Sequence, residues 1–210
     1  MKETISQNNT AAVRSKSLFT VRNMAFIAVM AALICVVSPF SVPMPGLVPI
    51  SLATFAVYLA GGILGAKKGT LAVLVYVLLG AVGVPVFSGG EGGLAKLFGV
   101  TGGYIIGYIP CALITGIFID LFFRKRSDIE NPVLNWLSRA WSVPVGMLVG
   151  TVVLYALGTV WFIIARGAAL EVALSACVLP FIPGDIIKIV AATVIVIALR
   201  DRLSRIMEGN

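Results

Sequence analysis

Apolar segments of near membrane-spanning length follow one another along almost the whole chain, separated by charged, glycine-rich or proline-rich connections. An α-helix needs about 20 mainly apolar residues to cross the hydrocarbon core of a bilayer. Six segments come close to that length: residues 18–40, 48–66, 69–85, 102–123, 143–165 and 172–200. Only 12% of the residues are charged, about half the fraction that is usual in soluble domains. We therefore predict an all-α integral membrane protein with six transmembrane helices.

The basic residues are distributed unevenly between the two sides that six crossings create. Of the 16 lysines and arginines, 13 lie on the side of the chain ends: Lys2, Arg14, Lys16, Arg22, Lys67, Lys68, Arg124, Lys125, Arg126, Arg139, Arg200, Arg202 and Arg205. Because cytoplasmic loops carry an excess of Lys and Arg, we predict a multi-pass protein of the cell membrane with both termini in the cytoplasm. The predicted divisions are a cytoplasmic N-terminal tail at 1–17, a single six-helix membrane domain at 18–200 and a cytoplasmic C-terminal tail at 201–210.

The sixth apolar segment is interrupted by a short polar sequence, Pro180–Lys188. Its two prolines and glycine end a helix that enters from the N-terminal side, because proline lacks the backbone N–H and clashes with the preceding turn. Asp185 then lies in the first turn of a new helix, and Lys188 follows three residues later on the same face. Each charge costs about 2.5–3.5 kcal/mol in hydrocarbon, so such residues normally face a protein interior or a watery cavity. The sixth helix is therefore predicted to be broken near its outer end, at a solute site or at a purely structural ion pair.

A glycine-rich connection, Gly89–Gly93, joins the third and fourth predicted helices on the outer side. Glycine reaches backbone conformations that are closed to other residues, so this sequence suits either a flexible external loop or a lid that closes tightly over a solute. Glu91 lies at its centre, and the aromatic residues Phe87 and Tyr104 flank it. The loop and the break before Asp185 are both predicted at the outer face, and that coincidence favours the lid.

Composition excludes several kinds of catalytic and binding site. The chain has no histidine, which rules out His-based metal sites and catalytic triads, and it has no Gly-Lys dipeptide, hence no ATPase P-loop. Cys35, Cys111 and Cys177 are scattered through apolar segments without the spacing of a metal or redox site. The net charge of +7 follows the membrane topology rather than indicating nucleic acid binding. We predict a protein that is not an enzyme, with no cofactor, no metal and no nucleic acid partner.

Five motifs are specific in combination and occur in a fixed order. They are Val48–Thr54, Gly83–Gly93, Thr101–Tyr104 with Gly107, Tyr155 with Gly158 and Trp161, and Leu179–Lys188. Together, over about residues 20–200, they resemble the biotin-specific substrate-binding (S) component of energy-coupling factor (ECF) transporters, the BioY family.

The resemblance implies a six-helix membrane protein that binds biotin, its transported substrate, at the outer face beneath the loop between the third and fourth helices. It also implies that the chain has no ATPase of its own. Such components work with a transmembrane coupling protein and two ATP-binding subunits, although some members occur in genomes without these partners. In this family the first helix contacts the coupling protein through small residues, which here are Ala28 and Ala32.

The candidate residues match the chemical groups of biotin, which has an apolar bicycle and chain, a ureido group and a terminal carboxylate. Asp185 can accept hydrogen bonds from ureido N–H groups and Lys188 can donate to an oxygen, strongly so in a dry pocket. Phe87, Tyr104 and Trp161 are expected to form aromatic walls around the apolar body. The predicted substrate-binding residues are Asp185, Lys188, Glu91, Phe87, Ser88, Tyr104 and Trp161.

Three alternatives remain beside a biotin S component. The first is an S component for a related vitamin or precursor, such as dethiobiotin or lipoate. The second is a membrane enzyme that uses Asp185 and Glu91 on a lipid or envelope substrate. The third is a structural membrane subunit in which Asp185 and Lys188 only neutralise each other. Ala28 and Ala32 are compatible with internal helix packing as well as with a partner helix, because small residues four apart serve both.

Overall fold

The computed structural model describes residues 20–42, 48–125 and 132–208, which are mainly helical. The helices are α1 (Val21–Val37), α2 (Ala53–Ala81), α3 (Leu94–Leu97), α4 (Gly102–Lys125), α5 (Pro132–Arg166), α6 (Leu170–Cys177) and α7 (Ile182–Glu208). Two short strands, β1 (Ser41–Val42) and β2 (Ile50–Ser51), pair antiparallel between α1 and α2. The predicted N-terminal tail at 1–17 lies outside the described residues.

Helix α2 contains the second and third predicted spans, and Gly65 divides it into two halves, 53–64 and 66–81. The backbone of Gly65 is non-helical, with φ 80° and ψ −179°, a conformation that glycine adopts readily because it has no Cβ. Beyond it the chain folds back: a Cβ added at Gly69 would collide with the backbone of Ala60 and Gly61. The two halves therefore form a tight helical hairpin.

The prediction of an all-α integral membrane protein is confirmed, with one difference in the helix count. Four described helices are long and apolar enough to cross a membrane: Ala53–Ala81, Gly102–Phe122, Ala140–Arg166 and Ile182–Arg200. Helix α1 is apolar but has only 17 residues. Six apolar segments are counted when α1 is included and the two halves of α2 are taken separately. The count differs because the second and third predicted spans lie within α2, on either side of Gly65.

The predicted break in the sixth span is present as the connection between α6 and α7. Helix α6 ends at Cys177, and α7 begins at Ile182 with Asp185 in its first turn. The backbone N–H of Asp185 donates to the carbonyl of Phe181 at 2.8 Å, which closes that first turn. At its other end α7 continues to Glu208, so residues 201–208 extend the helix beyond the predicted span.

Helix α4 lies between α2 and α5, and glycines allow the backbones to approach closely. A Cβ added at Gly61 would meet the carbonyl of Ala112, one at Gly116 would meet Ala66, and one at Gly150 would meet the carbonyl of Cys111. Helix association in membranes depends on such close packing, since lipid tails are as apolar as the side chains. The glycines on α2, α4 and α5 thus serve packing within the protein.

An ion pair supplies hydrogen-bond partners to the backbone groups that the turn at Gly65 separates. In an uninterrupted helix the N–H of Ala66 would donate to the carbonyl of Gly62. Here the Asp120 carboxylate accepts from Ala66 N–H at 2.8 Å, and Arg200 donates to the Gly62 carbonyl. Arg200 and Asp120 are themselves joined at 2.5 Å. Two backbone groups that the turn separates therefore each find a charged partner, from α4 and from α7.

Candidate functional site

The glycine-rich loop has a defined conformation that backbone hydrogen bonds hold in place. The N–H of Phe87 donates to the carbonyl of Glu91 at 2.8 Å, and between them Gly89 and Gly90 have φ of 78° and 73°. The N–H of Gly89 donates to the Pro39 carbonyl at 3.1 Å, which connects the loop to the end of α1. A tight turn with two positive φ angles requires residues without a Cβ.

Phe87 and Trp161 pack against glycines near the loop and are not among the residues that line the two recesses described below. Phe87 is fully buried, with its ring against Gly80 and edge-on to Tyr76 at 5.7 Å between centroids. The Trp161 indole N–H donates to the carbonyl of Gly99 at 2.9 Å, and its side chain packs against Gly103. Both side chains thus lie against glycines, Phe87 against Gly80 and Trp161 against Gly103, and their role as walls of a binding site stays a prediction.

Two adjoining recesses lie between the loop, the β1–β2 hairpin and the start of α7, each with about 320 Å³ of space that includes open solvent. The inner recess is defined by Thr54, Tyr155, Phe181, Asp185 and Lys188, and the outer recess by Ser38, Tyr76, Ser88, Lys96 and Thr101. Both are lined by Val48, Pro49, Ser51, Tyr104 and Tyr108. The two recesses therefore share one wall and differ in the chemistry of their other residues; together they are called the groove.

Asp185 and Lys188 form a buried ion pair at the inner end of this groove. Lys188 Nζ lies 2.9 Å from Asp185 Oδ1, and the residues are 8% and 3% exposed. The ammonium also donates to the Ser51 carbonyl at 2.7 Å and to Thr54 Oγ1 at 3.0 Å. An ammonium has three N–H donors, so these three oxygens use all of them.

The Asp185 carboxylate keeps acceptor capacity beside the recess. Its Oδ1 accepts from Lys188 and from the hydroxyl of Thr54 at 3.3 Å, and its Oδ2 accepts from the hydroxyl of Tyr155 at 2.6 Å. An ionised carboxylate has about four lone-pair sites, which leaves one for a further donor. The inner end can therefore accept a hydrogen bond from a ligand N–H in a water-poor setting.

Aromatic side chains cover the apolar part of the inner recess. The Tyr104 ring is stacked with Phe181, with centroids 6.4 Å apart, and the Tyr155 ring meets Phe181 edge-on at 6.5 Å. Tyr104 is held in place by its hydroxyl, which donates to the Cys177 carbonyl at 3.1 Å. The predicted aromatic wall thus includes Tyr104, joined by Phe181 and Tyr155.

Ser51 connects the ion pair to the other elements around the groove. Its carbonyl accepts from Lys188, while its hydroxyl donates to the Ser38 carbonyl at 2.8 Å. The hydroxyl of Ser38 in turn hydrogen bonds to Tyr76 at 2.6 Å. A chain of polar contacts therefore joins α7, the β1–β2 hairpin, the end of α1 and α2 around the groove.

Glu91 and Lys96 lie at the opposite, outer end. Glu91 Oε2 is 2.5 Å from Lys96 Nζ, and its side chain is 57% exposed against 21% for Lys96. Lys96 lines the outer recess together with Ser88, whereas Glu91 belongs to the lining of neither recess. Of the predicted site residues, the structure brings Asp185, Lys188, Tyr104 and Ser88 to the groove.

Several polar residues of the groove were absent from the predicted set. Ser51, Thr54 and Tyr155 lie inside the sequence motifs but were not assigned a role, although each is a polar residue in an otherwise apolar helix or at its start. Lys96 and Thr101 come to the groove only because the loop folds back over it. The first three could have been found from their polarity, and the last two only from the fold.

Ala28 and Ala32 lie on the outward face of α1. Both are exposed, whereas Ile27, Ala31 and Ile34 of the same helix are buried against the bundle. They therefore do not take part in packing within the described chain. This placement leaves the predicted docking role open and removes the alternative of internal packing.

Comparison with known proteins identifies the family of the chain. The sequence profile described as the BioY family matches residues 8–205. The chain belongs to the BioY family. Relatives include the Biotin transporter BioY of Rhodobacter capsulatus, 36% identical over 178 residues, which are 80% of this chain and 88% of that protein. The Probable biotin transporter BioY of Pyrococcus horikoshii is 37% identical over 189 residues, covering 90% and 98% of the two chains.

A solved structure shares the fold. It is the crystal structure of the S-component for biotin from an ECF-type ABC transporter, with a TM-score of 0.72 and 31% sequence identity over 85% of this chain and 90% of that one. The predicted family is thereby confirmed, and with it the prediction that the chain is not an enzyme, because the matched proteins are components of transporters.

Lys188→Met is expected to lower the free energy of unfolding by about 3–5 kcal/mol, because the Asp185 carboxylate is left buried without its counter-ion. Chemical unfolding in detergent micelles measures this change. Adding Asp185→Asn to the same protein removes both charges and is expected to recover most of the loss. Lys67→Met, at an exposed lysine, is the control and should change the value by less than about 0.5 kcal/mol. A double variant no more stable than Lys188→Met would contradict this account of the pair.

Proposed function

We propose that this chain is the substrate-binding (S) component of a biotin uptake system. It captures biotin at the outer face of the cell membrane, beneath the glycine-rich loop, and delivers it inward with an ATP-driven coupling module. The observation that carries the proposal is the inner recess, where a buried carboxylate with one remaining acceptor site stands beside a stacked aromatic wall. Family membership gives the substrate, since the matched relatives are named as biotin transporters.

Biotin fits the two kinds of surface that the groove presents. Its bicycle and chain are apolar and suit the walls formed by Tyr104, Phe181 and Tyr155. Its ureido N–H groups are donors, and the remaining lone pair of Asp185 accepts one of them in a charge-assisted hydrogen bond. Lys188 and Tyr155 hold that carboxylate in place, so it is oriented before the ligand arrives.

The loop at Gly89–Gly93 acts as the lid of the groove. The N–H of Gly93 donates to the Gly80 carbonyl at 2.7 Å, and the N–H of Gly89 donates to the Pro39 carbonyl. Closure therefore requires movement only of the residues between Gly89 and Gly93. Closing a short loop excludes water from a bound solute at little cost. This face is the outer one, because Lys67 and Lys68 follow the Gly65 turn at the opposite end and basic residues favour the cytoplasmic side.

The chain works with other proteins. It has no P-loop, so ATP must be hydrolysed by separate subunits: a transmembrane coupling protein and two ATP-binding subunits, where these are present. The exposed face of α1 that carries Ala28 and Ala32 docks the coupling protein, because small residues let a second helix approach closely. The tails at 1–17 and from 201 onward lie on the cytoplasmic side, outside the membrane domain.

Radiolabelled biotin is expected to bind detergent-purified protein, and Asp185→Asn is expected to weaken that binding roughly 30-fold or more, because a buried charged acceptor is lost. Glu171→Gln, at an exposed acid on α6, is the matched control and should bind as the unchanged protein does. Competition with dethiobiotin and lipoate separates biotin from related solutes. Unchanged affinity in Asp185→Asn would remove Asp185 from the site, and absence of biotin binding to the unchanged protein would refute the function.

Orientation and lid are testable with one set of cysteine variants in a background lacking Cys35, Cys111 and Cys177. A membrane-impermeant thiol reagent applied to intact cells should label Glu91→Cys, at an exposed residue of the loop, and not Lys68→Cys. Saturating biotin should slow labelling of Glu91→Cys by at least about tenfold if the lid closes over the ligand. External labelling of Lys68→Cys would reverse the topology, and equal rates with and without biotin would rule out the lid.

The double substitution Ala28→Trp, Ala32→Trp should abolish partner-dependent biotin uptake by cells while leaving biotin binding unchanged. Two indoles on the exposed face of α1 prevent the close approach of another helix. The matched control is Val29→Trp, at a residue 69% exposed on the same helix, which adds comparable bulk beside the small-residue pair. Normal uptake by the double variant in cells that contain the partner subunits would show that docking occurs elsewhere.

A further inference from the structure

Most side-chain donors of the inner recess are used within the protein. Lys188 uses its three N–H donors on Ser51, Thr54 and Asp185. The hydroxyls of Thr54 and Tyr155 both donate to the Asp185 carboxylate, at 3.3 Å and 2.6 Å. These donors therefore hold the carboxylate in place and have no hydrogen left for a ligand.

Two further hydroxyls of this recess are also engaged with the protein. The hydroxyl of Ser51 donates to the Ser38 carbonyl at 2.8 Å, and that of Tyr104 donates to the Cys177 carbonyl at 3.1 Å. A hydroxyl has a single hydrogen to donate. Neither group can therefore donate to a ligand without giving up a bond that it makes in the protein.

Tyr108 on α4 differs from all of these. It is 8% exposed and belongs to the wall that the two recesses share, and its ring lies against that of Tyr76, with centroids 6.5 Å apart. Within the described part of the chain, its hydroxyl makes no hydrogen bond. Buried polar groups in folded proteins are nearly always paired. An unpaired hydroxyl on a residue that borders the groove therefore marks a position suited to an acceptor of the ligand.

The ligand of the proposed function brings such an acceptor to the inner recess. The carbonyl oxygen of a ureido group lies between its two N–H groups, so an N–H that donates to Asp185 places this oxygen in the same recess. Burying the oxygen without a donor would be costly. Lys188, the cation of the recess, has no N–H left for it.

We propose that the hydroxyl of Tyr108 donates to the ureido oxygen of bound biotin and makes the recess selective for a urea carbonyl. The inference rests on the proposed function and adds a specificity-determining residue to it. Asp185 recognises an N–H of the ureido group, and Tyr108 recognises its oxygen. Because the hydroxyl has no partner among the described residues, the ligand gains this bond without breaking another within them.

The test measures the affinity of detergent-purified protein for biotin and for 2-thiobiotin, in which sulfur, a weaker hydrogen-bond acceptor, replaces the ureido oxygen. Tyr108→Phe should weaken biotin binding roughly tenfold, because a buried acceptor loses its donor. The same variant should change the affinity for 2-thiobiotin by less than about twofold, since little hydrogen bonding is lost there. The unchanged protein should therefore prefer biotin, and Tyr108→Phe should lose most of that preference.

Tyr58→Phe is the matched control. Tyr58 is buried and its hydroxyl is bonded to Thr151 at 2.6 Å, but it lines neither recess. This control should keep the preference for biotin over 2-thiobiotin. Tyr108→Phe keeps the aromatic ring and removes a hydroxyl without a partner in the described chain, so its midpoint of thermal unfolding should not fall.

The outcomes separate this inference from the proposed function. An unchanged affinity for biotin in Tyr108→Phe, or an equal loss for biotin and 2-thiobiotin, would overturn the role of Tyr108 and leave the biotin function intact. Dethiobiotin keeps the ureido group but lacks the ring sulfur, so Tyr108→Phe should weaken its binding as much as that of biotin. A loss for biotin alone would assign the hydroxyl to the sulfur and contradict the proposal. Absence of biotin binding to the unchanged protein would overturn both.

Discussion

The structure depends on keeping two opposite charges, Asp185 and Lys188, satisfied away from water. A buried charge is tolerable only when it is paired and its remaining hydrogen-bonding positions are filled, and here the partners come from three separate parts of the chain. Ser51 is the last residue of β2, Thr54 lies in the first turn of α2, and Tyr155 is on α5. The short α7 start that presents the two charges therefore determines how α2, α5 and the β1–β2 hairpin must meet.

The same principle operates at the other end of the bundle, with a different result. The turn at Gly65 separates Ala66 N–H from the Gly62 carbonyl, and in hydrocarbon each unpaired backbone group would be costly. Asp120 and Arg200 take one group each and pair with one another. At that end the charges bind the backbone groups of the turn, and the Asp120 side chain is 42% exposed. An ion pair in this protein is thus structural at one end and part of a recess at the other, and the surrounding backbone makes the difference.

The sequence predicts the features that depend on local chemistry and fails where distant segments meet. Apolar length predicts the helices, and the prolines before Asp185 predict the α6–α7 break. The positions of Phe87 and Trp161 were not predictable, because they depend on glycines of other helices, Gly80 and Gly103, that receive their rings. Lys96 was not assigned to the site for a related reason: it lies in the short helix α3, and only the fold brings that helix to the outer recess.

The charges at the two ends of the groove are held in place to different degrees. At the inner end, Asp185 is fixed by three donors from the protein, so a ligand gains a hydrogen bond without having to order the acceptor. At the outer end, Lys96 is paired with the exposed carboxylate of Glu91, and water weakens such a pair. In the proposed function, the charge that is fixed at the base of the groove recognises the ligand, because a preordered acceptor spares the cost of ordering side chains on binding.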